Sequence, residues 1–123
     1  MFTADQIVAH LVGDYILQSD WMANEKTKQS FAAGVHAVAY TLPFLFITRS
    51  VAALAFICGT HFLIDRFRLA RYVVWFKNGQ WSSPITATGY SDDKPAFLSV
   101  WLLIIADNTL HILCNGVALV VWP

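Results

Sequence analysis

The chain has 123 residues, which is enough for one domain, and its formal net charge is zero. Hydrophobic residues make up 57% of the sequence and charged residues 13%, whereas soluble domains carry about 25% charged residues. A neutral chain with few charges lacks the basic surface that nucleic-acid binding requires, so we expect no nucleic-acid partner. With a mean hydropathy of +0.53, the composition is typical of a small integral membrane protein.

Four apolar segments follow one another along the chain, each near the ~20 residues needed to cross a hydrocarbon core of ~30 Å. They cover residues 4–22, 31–48, 51–70 and 97–122. The first is diluted by polar residues such as Asp5 and Asp20, so a re-entrant or interfacial helix is the alternative there. The sequence therefore predicts an all-α fold, a polytopic membrane bundle of about four transmembrane helices in a single domain, residues 1–123.

One long connection, residues 77–95, separates the third and fourth segments. Its Gly, Ser, Pro and Asp residues indicate a loop, and long ordered loops are often functional. The stretch RLARYVVWFKNGQW, which leads into this loop, mixes Arg and Trp with apolar residues and so favours an amphipathic helix at the membrane interface. We therefore expect an interfacial helix and a loop between the third and fourth spans.

Positive charge is distributed unevenly between the connections. Seven of the eight Lys and Arg residues lie in or beside the first and third connections, and only Arg49 lies in the second. Because short cytoplasmic connections carry an excess of Lys and Arg, this pattern predicts that both termini lie on the non-cytoplasmic side. The expected surrounding partner is membrane lipid.

All four histidines lie inside the apolar segments, and three of them have an aspartate four residues away. The pairs are His10 with Asp14, His61 with Asp65, and Asp107 with His111, while His36 stands alone in the second segment. Four residues make about one helical turn, so each pair shares one helix face. At a rise of ~1.5 Å per residue, all seven lie near one level of the predicted bundle. Charged groups at that depth are costly, so these side chains should face inward and be paired.

A divalent metal ion would satisfy these side chains, because imidazole nitrogen and carboxylate oxygen are ordinary zinc ligands. Seven ligands exceed one tetrahedral set, so either two zinc ions are bound, or one is bound and some aspartates orient its histidines. We predict that the metal ligands are His10, Asp14, His36, His61, Asp65, Asp107 and His111. Two alternatives remain open: hydrogen bonds that only join helices, and a proton relay.

Polar residues near the cytoplasmic ends of the spans are candidates for substrate binding. They are Gln18, Lys26, Arg66, Arg68 and Lys94. Arg and Lys side chains suit a phosphate group. The alternative is that the basic residues set the topology and contact anionic lipid, and that the glutamine packs between helices.

Several stretches of this sequence resemble a bacterial and phage family of small membrane proteins of unknown function. They are HLVGDYILQSDWMANEK, the lone His36, HFLIDRF and GYSDDKPAFLSVWLLIIADNTLHIL. The His and Asp pairs in apolar helices are also similar to those of inner-membrane metal-dependent hydrolases. This resemblance implies a multi-pass protein of the bacterial inner membrane, with the seven His and Asp residues as its metal site.

The leading hypothesis is an intramembrane metal-dependent hydrolase that acts on a lipid or a lipid-linked phosphate. A metal-activated water would attack a phosphoryl or acyl centre, with Asp14 or Asp65 as general base. One alternative is a metal-ion or proton conduit, which we expect to be a homo-oligomer because four short helices enclose little volume. The other is a non-catalytic membrane scaffold.

Overall fold

The computed structural model describes residues 2–123, of which 72% are helical and none lies in a β-strand. The expectation of an all-α fold is therefore confirmed. The α-helices in the described chain are α1 (Ala4–Leu11), α2 (Asp20–Glu25), α3 (Ser30–Thr41), α4 (Val51–Phe67), α5 (Leu69–Lys77) and α6 (Ala96–Val121). The first of these continues into a π-helical turn, Val12–Ile16, and α3 continues into a 3₁₀ segment, Leu42–Phe46.

The first apolar segment, residues 4–22, does not form one continuous helix. Its regular part ends with the π-helical turn, and a new helix starts at Asp20. Ser19 begins this new helix as its N-cap, with extended backbone angles and a side-chain oxygen that accepts a hydrogen bond from Met22 N at 3.3 Å. Capping by Ser19 makes α2 a separate short helix.

Only one helix of the described residues, α6, is long and apolar enough to cross a membrane. The four-span prediction is therefore not supported. Residues 30–46 form a shorter apolar helix, in which Pro43 lies at the start of the 3₁₀ segment. The third segment is divided as well, because Arg68 adopts the left-handed conformation (φ 52°, ψ 49°) between α4 and α5. Helix α5 occupies the position where we expected an interfacial helix, and no helix lies within the described residues 78–95.

Helix α4 lies between α3 and α6, while α1 and α5 also pack on α6. The π-helical turn contacts α3 closely at Gly13. A Cβ atom at this position would lie only 3.0 Å from the backbone oxygen of Tyr40 and 2.6 Å from its ring. Glycine therefore permits the approach that brings the next residue, Asp14, against α3.

The interior of this bundle is unusually polar and its surface unusually apolar. All four histidines are buried, together with two aspartates, while the apolar core is small and rich in alanine. Many large apolar side chains are exposed, and five of them are between 71% and 94% accessible: Ile16, Phe31, Phe46, Val51 and Phe97. A water-soluble domain has the opposite tendency, because buried polar groups are costly and large exposed apolar patches are rare.

Candidate metal centre

Four side chains from three parts of the chain direct one atom each towards a common point. They are Asp14 from the π-helical turn, His36 from α3, and His61 and Asp65 from α4. The Nε2 atom of His36 lies 3.2 Å from Oδ1 of Asp14 and 3.1 Å from Oδ2 of Asp65. His61 Nε2 lies 3.4 Å and 3.1 Å from the same two oxygens. All four residues are buried.

The geometry of this group fits a metal ion better than a set of hydrogen bonds. The Nε2 atoms of His36 and His61 lie 2.9 Å apart, so only one of them can donate a proton in that contact. Oδ1 of Asp14 lies 3.2 Å and 3.4 Å from these two nitrogens, but neither approach has hydrogen-bond geometry. A zinc ion at ~2.0–2.2 Å from four ligands would hold the ligand atoms ~3.3–3.6 Å apart, so outward shifts of a few tenths of an ångström would admit one.

A second ligand group adjoins the first and shares Asp65 with it. It consists of Asp65, Asp107 and His111. The Nε2 atom of His111 lies 3.2 Å from Oδ1 of Asp65 and 3.4 Å from Oδ2 of Asp107. Because Asp107 and His111 are one turn apart on α6, this group connects α4 to the long apolar helix. A divalent ion could be held in either group.

Aromatic packing fixes the orientation of the central histidine rings. Tyr40 stacks on His61 with ring centroids 3.6 Å apart and an interplanar angle of 17°. On the same ring, His111 packs at 4.1 Å. Metal-bound histidines are commonly oriented by a hydrogen bond from the second ring nitrogen, but Nδ1 of His61 makes none within the described residues. Stacking by Tyr40 therefore orients the His61 ring in place of such a hydrogen bond.

One ammonium group contacts the cluster directly. Lys26 Nζ lies 2.8 Å from Oδ2 of Asp65, and the lysine side chain is 18% exposed. The two groups together contain three carboxylates, and Lys26 offsets only one of these negative charges. A buried carboxylate is costly unless it is compensated, so the remaining charge favours the binding of a cation.

A cavity of about 260 Å³ opens beside the cluster, and the aspartates form part of its wall. Its polar lining residues are Asp14, Tyr15, Gln18, Lys26, Thr27, Asp65, Arg68, Arg71, Asp107 and Asn108. The remaining lining side chains are apolar and come from α4, α5 and α6. A small molecule in this cavity would therefore contact carboxylates of both ligand groups and three basic residues.

Of the seven predicted metal ligands, His10 is the one that lies outside both groups. Its ring nitrogens instead face Tyr40 Oη and Asn108 Oδ1, each at 2.9 Å. The distance from its Nδ1 to Asp14 Oδ2 is 3.6 Å, too long for a hydrogen bond. The structure brings the other six together, and His10 lies beside them as a buried hydrogen-bonding residue.

Three of the five predicted substrate-binding residues line the cavity, and two do not. Gln18, Lys26 and Arg68 line the cavity. Arg66 is instead directed to Ser30 Oγ (3.2 Å) and to the Thr27 carbonyl oxygen (2.9 Å). Lys94 lies over the Tyr90 ring at 5.2 Å and does not line this cavity.

Sequence reasoning missed four polar cavity residues, Tyr15, Thr27, Arg71 and Asn108. Three of them directly follow a predicted site residue in the sequence: Tyr15 follows Asp14, Thr27 follows Lys26 and Asn108 follows Asp107. Arg71 had a weaker signal, its spacing of three from Arg68 on an amphipathic stretch. The direction of α5 that carries Arg71 to the cavity depends on the left-handed backbone of Arg68.

No curated protein and no solved structure matches this chain. The expected similarity to metal-dependent hydrolases has no support from known proteins. One family model, described as a protein of unknown function, matches residues 2–121. Since this match covers nearly the whole chain, the protein belongs to the DUF3307 family.

Proposed function

We propose that this chain is a membrane-embedded, metal-dependent hydrolase that acts on a lipid or lipid-linked phosphate. The observation that carries the proposal is the convergence of Asp14, His36, His61 and Asp65 beside a cavity that also contains basic residues. Metal ligands alone would suit storage or structure. Metal ligands with adjacent anion-binding side chains suit hydrolysis of a phosphate ester.

Membrane embedding is supported by the distribution of polar and apolar side chains. Charged groups inside a membrane protein face the bundle interior and pair there, as the buried histidines and aspartates do. Helix α6 has 26 residues, and α4 has 17, which is at the short end of the ~17–25 residues that cross a bilayer. We propose a multi-pass protein of the bacterial inner membrane in which α3, α4 and α6 cross and α1 enters only part of the way.

The orientation follows from the basic residues. Lys26, Arg68 and Arg71 all line the cavity, and they belong to the connections that the positive-inside rule assigns to the cytoplasm. The cavity would then open near the cytoplasmic headgroup region, and three crossings would place the C-terminus on the other side. A phosphate on a membrane lipid can reach such a cavity without leaving the bilayer.

A bound divalent ion would supply Lewis acidity and lower the pKa of a water molecule towards ~7. Asp14 is the better placed of the two predicted general bases. Its Oδ1 is directed to the ligand group, and the ion pair that Oδ2 makes among the described residues is the 3.6 Å approach to His10 Nδ1. Both oxygens of Asp65 face histidines, which suits a ligand. We propose that the proton of the attacking water passes to Asp14.

The basic residues would bind the phosphate. The Nε atom of Arg71 is buried and makes no hydrogen bond within the described chain, so a shift of the side chain into the cavity would let it donate to a bound anion without breaking a hydrogen bond. Lys26 already contacts a carboxylate and Arg68 contacts the Ala87 carbonyl oxygen at 2.8 Å. Charge-assisted hydrogen bonds from Arg and Lys are the usual means of holding phosphate oxygens.

The test combines metal analysis with a defined lipid substrate. Detergent-purified protein would be analysed for bound metal and then incubated with phosphatidic acid in mixed micelles, with p-nitrophenyl phosphate as a soluble comparison. We expect stoichiometric metal and release of phosphate from the lipid, abolished by a chelator and by Asp14→Asn. Asp92→Asn, which changes an exposed loop carboxylate, is the matched control. Protein that carries no metal would refute the proposal and leave a non-catalytic scaffold.

A metal-ion conduit is the second candidate. It is supported by the sharing of Asp65 between the two ligand groups, since an ion could pass from one group to the other through a common ligand. Reconstituted liposomes containing a metal-sensitive dye distinguish the two functions. Metal uptake without phosphate release would favour the conduit, and phosphate release without uptake would favour the hydrolase.

A further inference from the structure

We infer that the centre binds two divalent ions and that Asp65 bridges them. This inference rests on the proposed metal-dependent hydrolase and specifies its metal content. The first ion would lie among Asp14, His36, His61 and Asp65. The second would lie among Asp65, Asp107 and His111. A single ion at the first position would leave Asp107 and His111 without a metal to bind.

The two oxygens of Asp65 face different partners, as a bridging carboxylate requires. Oδ2 lies 3.1 Å from Nε2 of both His36 and His61. Oδ1 lies 3.2 Å from Nε2 of His111. Centres in which two ions act together on a phosphate ester have them ~3.5–4 Å apart, a separation that one shared carboxylate can span. The position of Asp65 thus accounts for both ligand groups with one residue.

The two proposed ions would differ in their exposure to substrate. The ligands of the first are all buried. In the second group His111 is also buried, but the Asp107 side chain is 31% exposed and lines the cavity. A three-residue ligand set leaves coordination positions open, as catalytic metal sites do. The second ion would therefore bind the phosphate oxygen, while the first would be held mainly by protein.

The charge of the site supports an anionic substrate when both ions are present. The three carboxylates exceed the positive charge of Lys26, and one divalent ion neutralises the remaining negative charge. A second ion makes the centre positive, and Arg68 and Arg71 add to this in the same cavity. A phosphate monoester dianion would neutralise the charge that the second ion adds, and the two arginines would remain to pair with the phosphate oxygens. In the reaction, water gives one proton to Asp14 and its oxygen forms a bond to phosphorus as the ester P–O bond breaks. The leaving oxygen takes a proton from bulk water, to which Asp14 then releases its own.

The experiment counts metal ions with Mn²⁺ as the probe. Metal-free full-length protein would be dialysed against Mn²⁺, analysed for metal per chain, and examined by electron paramagnetic resonance. We expect two ions per chain and an exchange-coupled spectrum for the unmodified protein and for Asp92→Asn. For both Asp107→Asn and Asp107→Ala we expect one ion and an uncoupled spectrum. Asp107 is partly exposed, and the helical circular dichroism of each variant confirms its folding.

The outcomes separate this inference from the proposed function. One ion per chain in the unmodified protein, or two ions in the Asp107 variants, would overturn the bridged centre. Metal-dependent phosphate release would still support a hydrolase in that case. Two coupled ions without any phosphate release would support the bridged centre and refute the hydrolase.

Discussion

The His–Asp pairs of α1 and α6 have the same spacing in sequence but different outcomes in the structure. On α6, Asp107 and His111 lie in one regular helix, and their side chains approach to 3.4 Å. At the N-terminus, the backbone changes from α-helix to π-helix between His10 and Asp14. Asp14 contacts the histidines of α3 and α4, whereas His10 turns to Tyr40 and Asn108.

This difference shows that a spacing of four does not by itself place two side chains in one ligand group, since His10 Nδ1 and Asp14 Oδ2 lie 3.6 Å apart and yet have different partners. A π-helical turn has a wider repeat and is frequent at functional sites. Here the turn includes Gly13, whose missing side chain permits contact with α3. The N-terminal pair is therefore divided between a ligand and a supporting residue, while the α6 pair remains together.

The largest effect on metal affinity is expected for Asp65→Asn, because Asp65 belongs to both ligand groups. It therefore links the group that contains Asp14 to the group on α6. Loss of a residue that only orients a ligand already costs about 10–100-fold in metal affinity. Removal of the shared carboxylate should therefore weaken binding by at least about 100-fold at both positions. Isothermal titration with Mn²⁺ measures this change. An affinity within threefold of the unmodified protein would show that Asp65 is not a ligand.

The next largest effect is a difference in metal stoichiometry between variants of His111 and of His10. His111→Gln should lose one Mn²⁺ ion per chain, because His111 faces Asp65 and Asp107. His10→Gln should keep its metal stoichiometry and change affinity by less than about 10-fold, the lower end of the effect of an outer residue. Both histidines are buried, so thermal unfolding must be measured for each. Loss of an ion in His10→Gln would show that His10 is a metal ligand, as the sequence predicts.

Much of this arrangement could be predicted from the sequence, and the remainder depends on tertiary contacts. Helix α6 was evident from its continuous apolar run, and the inward position of the histidines followed from the cost of burying them in an apolar segment. The π-helical turn could not be predicted, because it depends on the contact between Gly13 and Tyr40 of another helix. The orientation of Arg66 away from the cavity depends on Ser30 and Thr27, which lie far from it in sequence.

A smaller effect is expected when the close approach of the π-helical turn is obstructed. Gly13→Ala places a methyl group against the backbone of Tyr40, and such overpacking typically costs about 1–3 kcal/mol. Asp14 should move with the turn, so Mn²⁺ affinity should fall as well. Urea unfolding measures the first effect and titration the second.

Gly34→Ala on α3 is the matched control, because a Cβ atom there meets nothing within 4 Å. In a helix this change should stabilise the protein by about 0.5–1 kcal/mol. Equal stability of the two alanine variants would show that the turn does not need a glycine.

The smallest effect concerns a pair of side-chain hydrogen bonds that joins the π-helical turn to α6. Tyr15 Oη donates to Asn108 Oδ1 at 3.1 Å and accepts from Asn108 Nδ2 at 2.8 Å. Tyr15→Phe should cost about 0.5–1.5 kcal/mol, and the lower end applies because Tyr15 is exposed. Tyr72→Phe, another exposed tyrosine, on α5, is the control. Since His10 Nε2 also contacts Asn108 Oδ1, Asn108 should stay in place and the metal stoichiometry should not change. An ion lost in Tyr15→Phe would mean that this contact, and not the backbone, positions Asp14.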